Sequence, residues 1–266
     1  MRLFDPHVHM YSRTTDDYER MALAGVEVVV EPSFWLGSAR SHPATFGDYF
    51  RHLLEFEPKR AAQHGVQHFA CVSMNPKEAN DLDLAHQVIK VLDEFLDHPR
   101  CVALGEVGFD RITDAEDEVV RAQLALARRK GLPVQVHLPH FNKPLGLQRT
   151  LAAVKAEGVD PGMVLLDHND EQTLGPALDA GLWVGMSIYP VTKLSPERAL
   201  RLVQRHGTER VMVHSAADWG PSDPLAVPRT VAHFRQHRLP RRAIEEVVWE
   251  NPIRFFGQSK KLEVEL

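Results

Sequence analysis

Short apolar, β-branched runs alternate with longer polar–apolar segments along this chain, and the alternation recurs eight times. The runs Leu3–His9, Val26–Glu31, His68–Met74, Val102–Val107, Val134–Leu138, Met163–His168, Leu182–Ile188 and Val211–His214 are too short for helices and read as buried strands. Between them, positions 44–63, 78–96, 115–130, 144–157, 171–180, 196–206, 225–237 and 240–250 carry the helical period, and a shorter stretch at 16–24 supplies the first crossover. Glycines at 25, 65, 131, 158, 181 and 207 stand between a helix and the next strand, where a left-handed residue ends a helix at no steric cost. Strands that alternate with helices must pair in parallel, because each return crosses the sheet. Eight such units predict a closed (β/α)8 TIM barrel. A doubly wound open sheet is the alternative, but no Gly-x-Gly-x-x-Gly follows the first strand.

Composition changes this picture little. The chain has 266 residues, is 44% hydrophobic and 25% charged, and shows no linker or composition shift, so residues 1–266 read as one domain. Its net charge of −5 gives no global attraction to nucleic acid. Cys71 and Cys101, the only cysteines, lie in apolar runs and read as core thiols of a reducing compartment. The first residues lack a secretory pattern and no apolar run reaches the roughly 20 residues of a membrane span, so the cytoplasm is the expected compartment. The pattern leaves the oligomeric state open.

Histidine changes it most. Of 15 histidines, His7 and His9 fall at the end of the first strand, His137 at the end of the fifth and His168 at the end of the sixth. Glu106 ends the fourth strand, and Asp218 follows the eighth in "VHSAADWG". In a parallel barrel these ends open on one face, the face that hosts chemistry. Strand period 2 turns His7 and His9 the same way. Imidazoles and carboxylates together suit one or two divalent metal ions, Zn first, with Mn, Fe, Ni or Mg as alternatives. The expected ligands are His7, His9, Glu106, His137, His168 and Asp218, with Glu106 able to bridge two ions. The histidines at 52, 64, 86, 98, 206, 233 and 237 sit in helical segments and read as ordinary helix residues, while His140 and His214 are ambiguous.

The motifs "DPHVH", "GEVGFD" and "VHLP", the sixth-strand His168 and the closing "WENPIRFFG" resemble, in order, the TatD-related metal-dependent hydrolases of the amidohydrolase superfamily. The resemblance covers nearly the whole chain and implies a TIM barrel that hydrolyses with one or two divalent ions. It matches His7 and His9 to the first-strand ligands, Glu106 to the fourth-strand carboxylate, and His137 and His168 to the fifth- and sixth-strand histidines. Two positions depart from the family. Pro139 stands where the nucleases carry an arginine, a natural phosphate clamp. Ala216 stands where the eighth strand carries a ligating aspartate, with Asp218 two residues on, as in a divergent branch with an SAADWG-type motif.

The expected activity is hydrolysis of a small-molecule ester, lactone, amide or phosphoester by a metal-activated water, with Asp218 as proton acceptor and Glu106 as the second catalytic carboxylate. His140, Lys143, Asn169, Tyr189 and Trp219 lie on loops over the same face and are the candidate substrate contacts. The alternatives are a TatD-like deoxyribonuclease, disfavoured by Pro139 and the acidic charge, and a metal-using lyase or isomerase on the same barrel.

Overall fold

The computed structural model describes residues 1–264. Eight parallel strands, β1 (Leu3–Asp5), β2 (Val26–Pro32), β3 (Gln67–Val72), β4 (Cys101–Gly108), β5 (Val134–His137), β6 (Val164–Asp167), β7 (Trp183–Ser187) and β8 (Val211–His214), pair in sequence order. The seam between β8 and β1 is drawn together just beyond the strand ends, where Ala216 N–H donates to the His7 carbonyl and His9 N–H to that of Ala217, both at 2.8 Å. The result is a nearly closed (β/α)8 barrel. Around it run α1 (Thr15–Leu23), α2 (Pro43–Arg51), α3 (Glu57–Ala62), α4 (Leu82–Phe95), α5 (Asp114–Lys130), α6 (Lys143–Ala156), α7 (Leu174–Asp179), α8 (Pro196–His206), α9 (Ala226–Gln236), α10 (Arg241–Glu245) and α11 (Asn251–Gly257).

Proline explains where elements differ from the expected ones. The first strand stops at Asp5 rather than His9, because Pro6 has no N–H to continue the ladder. The segment expected as one helix over 44–63 is α2 and α3 joined by a π turn at His52–Phe56, and α10 joins α11 through another at Glu246–Glu250. Each π turn stands two residues before a proline, Pro58 or Pro252. A proline ring blocks the ordinary i→i−4 bond, and the wider turn absorbs the clash. The last helix therefore runs on to Gly257 instead of ending near 250.

The barrel interior divides into two ends. At the strand N-termini, Phe4, Val28, Val30, Leu165 and Met212 pack with Phe255 and Phe256 of α11, which plug that end. Both cysteines are buried and free. Towards the strand C-termini the interior turns polar: Gln135, Asp167, Glu106 and five histidines are all buried there. An apolar floor thus supports a polar mouth.

Candidate metal centre

Each strand presents its functional group by a different local device. β1 ends at Asp5, before Pro6, and the two hydrogen bonds of the seam hold the next residues so that His7 and His9 turn inward together. Their Nε2 atoms lie 3.1 Å apart. On β4 the pairing with β5 skips a residue, since Gly105 faces Gln135 while Val107 faces Val136. The residue left over is Glu106. Gly108 permits this close approach, because a Cβ there would stand 2.3 Å from the His137 carbonyl oxygen, at a φ of +138°. On β6, Asp167 points inward by strand alternation, as Leu165 does. His168 would then point outward, but its φ of +63° turns it back into the barrel.

The carboxylate of Glu106 is the hub. Its Oε1 lies 3.0 Å from His137 Nδ1, 3.1 Å from His168 Nε2 and 3.6 Å from His7 Nε2. Asn75 Nδ2 donates to the other oxygen at 3.3 Å. A shell of second partners fixes the rings: Asp167 Oδ2 is 2.8 Å from His7 Nδ1, the Pro32 carbonyl accepts from His9 Nδ1 at 3.2 Å, and Ser187 Oγ lies 2.5 Å from His168 Nδ1. Asp167 is itself held by Gln135 Nε2 at 2.7 Å and approaches His214 Nε2 at 3.1 Å. The His214 ring stacks on His7, with centroids 4.9 Å apart. Gly185 of β7 makes the room, because a Cβ there would fall 2.0 Å from Asp167 Oδ1.

Burial sets the protonation. It pushes His9 and His168 well below the usual histidine range, so both rings stay neutral and keep a lone pair. Burial also opposes charge on Glu106, but His137 and His7 beside it win, and the carboxyl is held well below its usual range. Lys193, in the loop after β7, places its ammonium 3.1 Å from His168 Nδ1, and burial pushes it down to about 8.

These residues fit a divalent ion. Metal–ligand bonds near 2.1 Å in a tetrahedral shell set neighbouring ligand atoms about 3.4 Å apart. The contacts of 3.0, 3.1 and 3.6 Å around Glu106, and 3.1 Å between His7 and His9, bracket that spacing. The buried His137 Nε2 has no hydrogen-bond partner among the described residues.

The structure thus brings together His7, His9, Glu106, His137 and His168. Asp218 lies in the loop after β8, where its Oδ1 accepts from Tyr189 OH at 2.9 Å and from Gly220 N–H at 2.7 Å. Of the other expected contacts, His140 sits beside His137 with ring centroids 6.2 Å apart. Lys143 donates to the His168 carbonyl, and Asn169 turns its amide inward to the Leu166 carbonyl. Trp219 joins Phe34 and Trp35 in an aromatic wall, and Phe34 stacks on His9 at 4.1 Å. Sequence reasoning missed Asp167, Lys193 and Phe34, and left His214 ambiguous. Asp167 could have been found from its alternation with Leu165; Lys193 and Phe34 lie in loops, where no period marks them.

Residues 4–257 match the family model described as TatD related DNase. A metal-dependent hydrolase of Methanocaldococcus jannaschii is 28% identical, over 96% of this chain and 99% of its own length. The crystal structure of the TatD-like protein from Archaeoglobus fulgidus superposes with a TM-score of 0.79 at 26% identity, covering 95% of this chain and 99% of that one. An aryldialkylphosphatase of Saccharolobus solfataricus is 26% identical over 55% of this chain and 54% of its own.

Proposed function

We propose, from the premise that the chain belongs to the TatD-related family of metal-dependent hydrolases, that it cleaves a small-molecule ester, lactone, amide or phosphoester rather than DNA. That the protein is a metal-dependent hydrolase follows from the family; the substrate class is our reading. The observation that carries it is the space beside the ligand set. A cavity of about 360 Å³, lined in part by His140, Lys143, Asn169 and Lys193, adjoins His168. That is the size of a small-molecule pocket. Pro139 stands at the position of a phosphate-clamping arginine, packed against Gly146 of α6, where a Cβ would lie 2.5 Å from its ring. The aryldialkylphosphatase is a relative whose name agrees with a small substrate.

His7, His9, Glu106, His137 and His168 would hold one or two divalent ions, with Asp218 as a further candidate ligand. Zn is the first choice, and Mn, Fe, Ni or Mg the alternatives. When bound, such an ion supplies a water that ionises near neutral pH and polarises the scissile carbonyl or phosphoryl group. The chain's own groups do the rest. Asp167, the Pro32 carbonyl and Ser187 hold the three rings in the orientation that aims the Nε2 atoms of His7 and His168 at Glu106 and that of His9 at His7. Asp218 takes a proton: Tyr189 and Gly220 fix its Oδ1, and Oδ2 receives no donor among the described residues. His140 and Asn169 border the substrate space.

The test is turnover by metal-loaded protein of aryl esters, lactones, aryl phosphoesters and single-stranded DNA. Small-molecule turnover that falls to background in Glu106→Ala supports the reading. DNA degradation that is lost in Glu106→Ala, with no small-molecule turnover, overturns it.

A further inference from the structure

The cations around the cavity are not equivalent. Lys143 gives its ammonium to the His168 carbonyl and has Asp170 at 4.0 Å. Arg198 grips Glu171 through two hydrogen bonds of 2.8 and 2.5 Å. Lys193 has no carboxylate within ion-pair distance among the described residues; its ammonium meets only the His168 ring, at 3.1 and 3.4 Å, and the face of Tyr189.

The lysine is also fixed in place. Leu194 N–H donates to the Ser187 carbonyl at 3.1 Å, Lys193 N–H to that of Tyr189 at 3.3 Å, and Arg198 Nη1 to the Lys193 carbonyl at 2.9 Å. A long side chain on a pinned backbone, half-buried and with no carboxylate at ion-pair distance, holds its charge where an anionic ligand would pair with it. Across the mouth from it, Phe34 covers His9, and Trp219, 44% exposed, extends that apolar surface outward. The site therefore has a cationic side and an aromatic side, with the ligand set between them.

We infer that the substrate carries one anionic group, received by Lys193, and an apolar portion that lies against Phe34 and Trp219. The group is a carboxylate or a phosphate ester; both present acceptor oxygens to an ammonium. The inference rests on the reading of this site as a small-molecule hydrolase and names its substrate class. Lys193 acts here through its charge and place, as a specificity-determining contact.

Tryptophan fluorescence of the full-length protein reads the test, since Trp35 and Trp219 form the wall. Benzoate, phenyl phosphate and neutral benzyl alcohol are titrated into metal-loaded and chelator-treated protein, with metal content measured for every variant. In Lys193→Met, benzoate or phenyl phosphate should bind at least about tenfold more weakly in both forms, and benzyl alcohol within about twofold of the parent. The anion that loses more identifies the group. Lys193→Arg, which keeps the charge, should recover most of the loss and controls for folding. Unchanged anion affinity in Lys193→Met, an equal loss for benzyl alcohol, or no saturable anion binding to the parent overturns the inference. Binding to chelated protein is independent of turnover, so the inference and the hydrolase reading fail separately.

Discussion

Two buried groups of histidines and carboxylates in this barrel look alike on paper and differ in what surrounds them. At the mouth, Glu106 serves His7, His137 and His168 with no arginine in the set. In the wall between barrel and helices, Glu31, Glu57 and His68 also lie within a metal-sized triangle. There Glu31 Oε2 meets His68 Nε2 at 2.8 Å, and Glu57 accepts from Tyr18 OH at 3.0 Å, His52 Nε2 at 2.9 Å and Arg60 Nη2 at 2.9 Å. Arg60 goes on to donate to the carbonyls of Met10 and Arg13, the loop that follows His9. The wall group is supplied with its own cation and tied to backbone; the mouth group keeps an unpartnered His137 nitrogen and an unpaired lysine. Residue type alone does not make a metal centre. The lesson is to count counter-charges before counting ligands.

The comparison breaks most sharply at its two hubs. Glu57→Ala would strand Arg60, His52 and Tyr18 without their acceptor, and removing one partner of a buried ion pair costs about 3–5 kcal/mol. In a chain of this size that lowers Tm by about 10 °C, while metal content per folded chain stays that of the parent. Glu106→Ala should do the reverse: metal content falls and, in chelator-treated protein, Tm moves little. Calorimetry with elemental analysis on both variants checks the pair. Metal lost from Glu57→Ala at unchanged Tm would reverse the assignment of the two groups.

The mouth was legible in the sequence because its residues sit at the ends of periodic strands. Once eight apolar runs are placed in parallel, His7, His9, Glu106, His137 and His168 must share a face, and they do. The period gave no warning of the devices that aim them: the skipped residue at Glu106 and the positive φ at His168 are local departures from alternation. Asp218 shows the limit from the other side. Its number of residues past the strand suggested reach, but said nothing of the loop bonds that hold its Oδ1 to Tyr189 and Gly220 and leave Oδ2 without a donor among the described residues. The wall group went unnoticed, since Glu31 and His68 point outward from β2 and β3 and gain meaning only when α3 packs on them. Proline, visible in the sequence, moved three element ends that periodicity alone placed elsewhere.

A smaller effect separates a partner that tunes the centre from one that only fills space. Asp167 holds His7 Nδ1 at 2.8 Å from outside the proposed ligand set. Asp167→Asn keeps the shape but weakens the acceptor, and loss of such a partner typically lowers metal affinity about 10–100-fold. Competition with a chromophoric chelator measures it. Affinity within about twofold of the parent would make Asp167 a packing residue.

The wall group also has a pH signature, and it follows from counting protons. Burial pushes Glu31 well above the usual carboxylate range and pushes His68 down to about 3. The folded pair therefore holds one proton between two groups. Unfolded, with pKa values of 4.5 and 6.5, the same pair also holds one proton between those limits, so it adds no pH dependence to stability there. Below pH 4.5 the unfolded pair binds a second proton that the folded pair refuses until about pH 3, and stability falls as pH falls. Above pH 6.5 the unfolded pair gives up its last proton, and stability falls as pH rises for as long as Glu31, raised by burial, keeps its own. Each flank has a slope of about 1.4 kcal/mol per pH unit. The double variant Glu31→Gln, His68→Gln keeps a hydrogen bond and removes both protons from the count. Urea unfolding across the acid flank, the plateau and the alkaline flank should show the parent's advantage over this variant greatest on the plateau and shrinking on both sides. An advantage that is constant with pH would mean the two groups do not share a proton, and the wall would lose its claim to be a self-contained ion network.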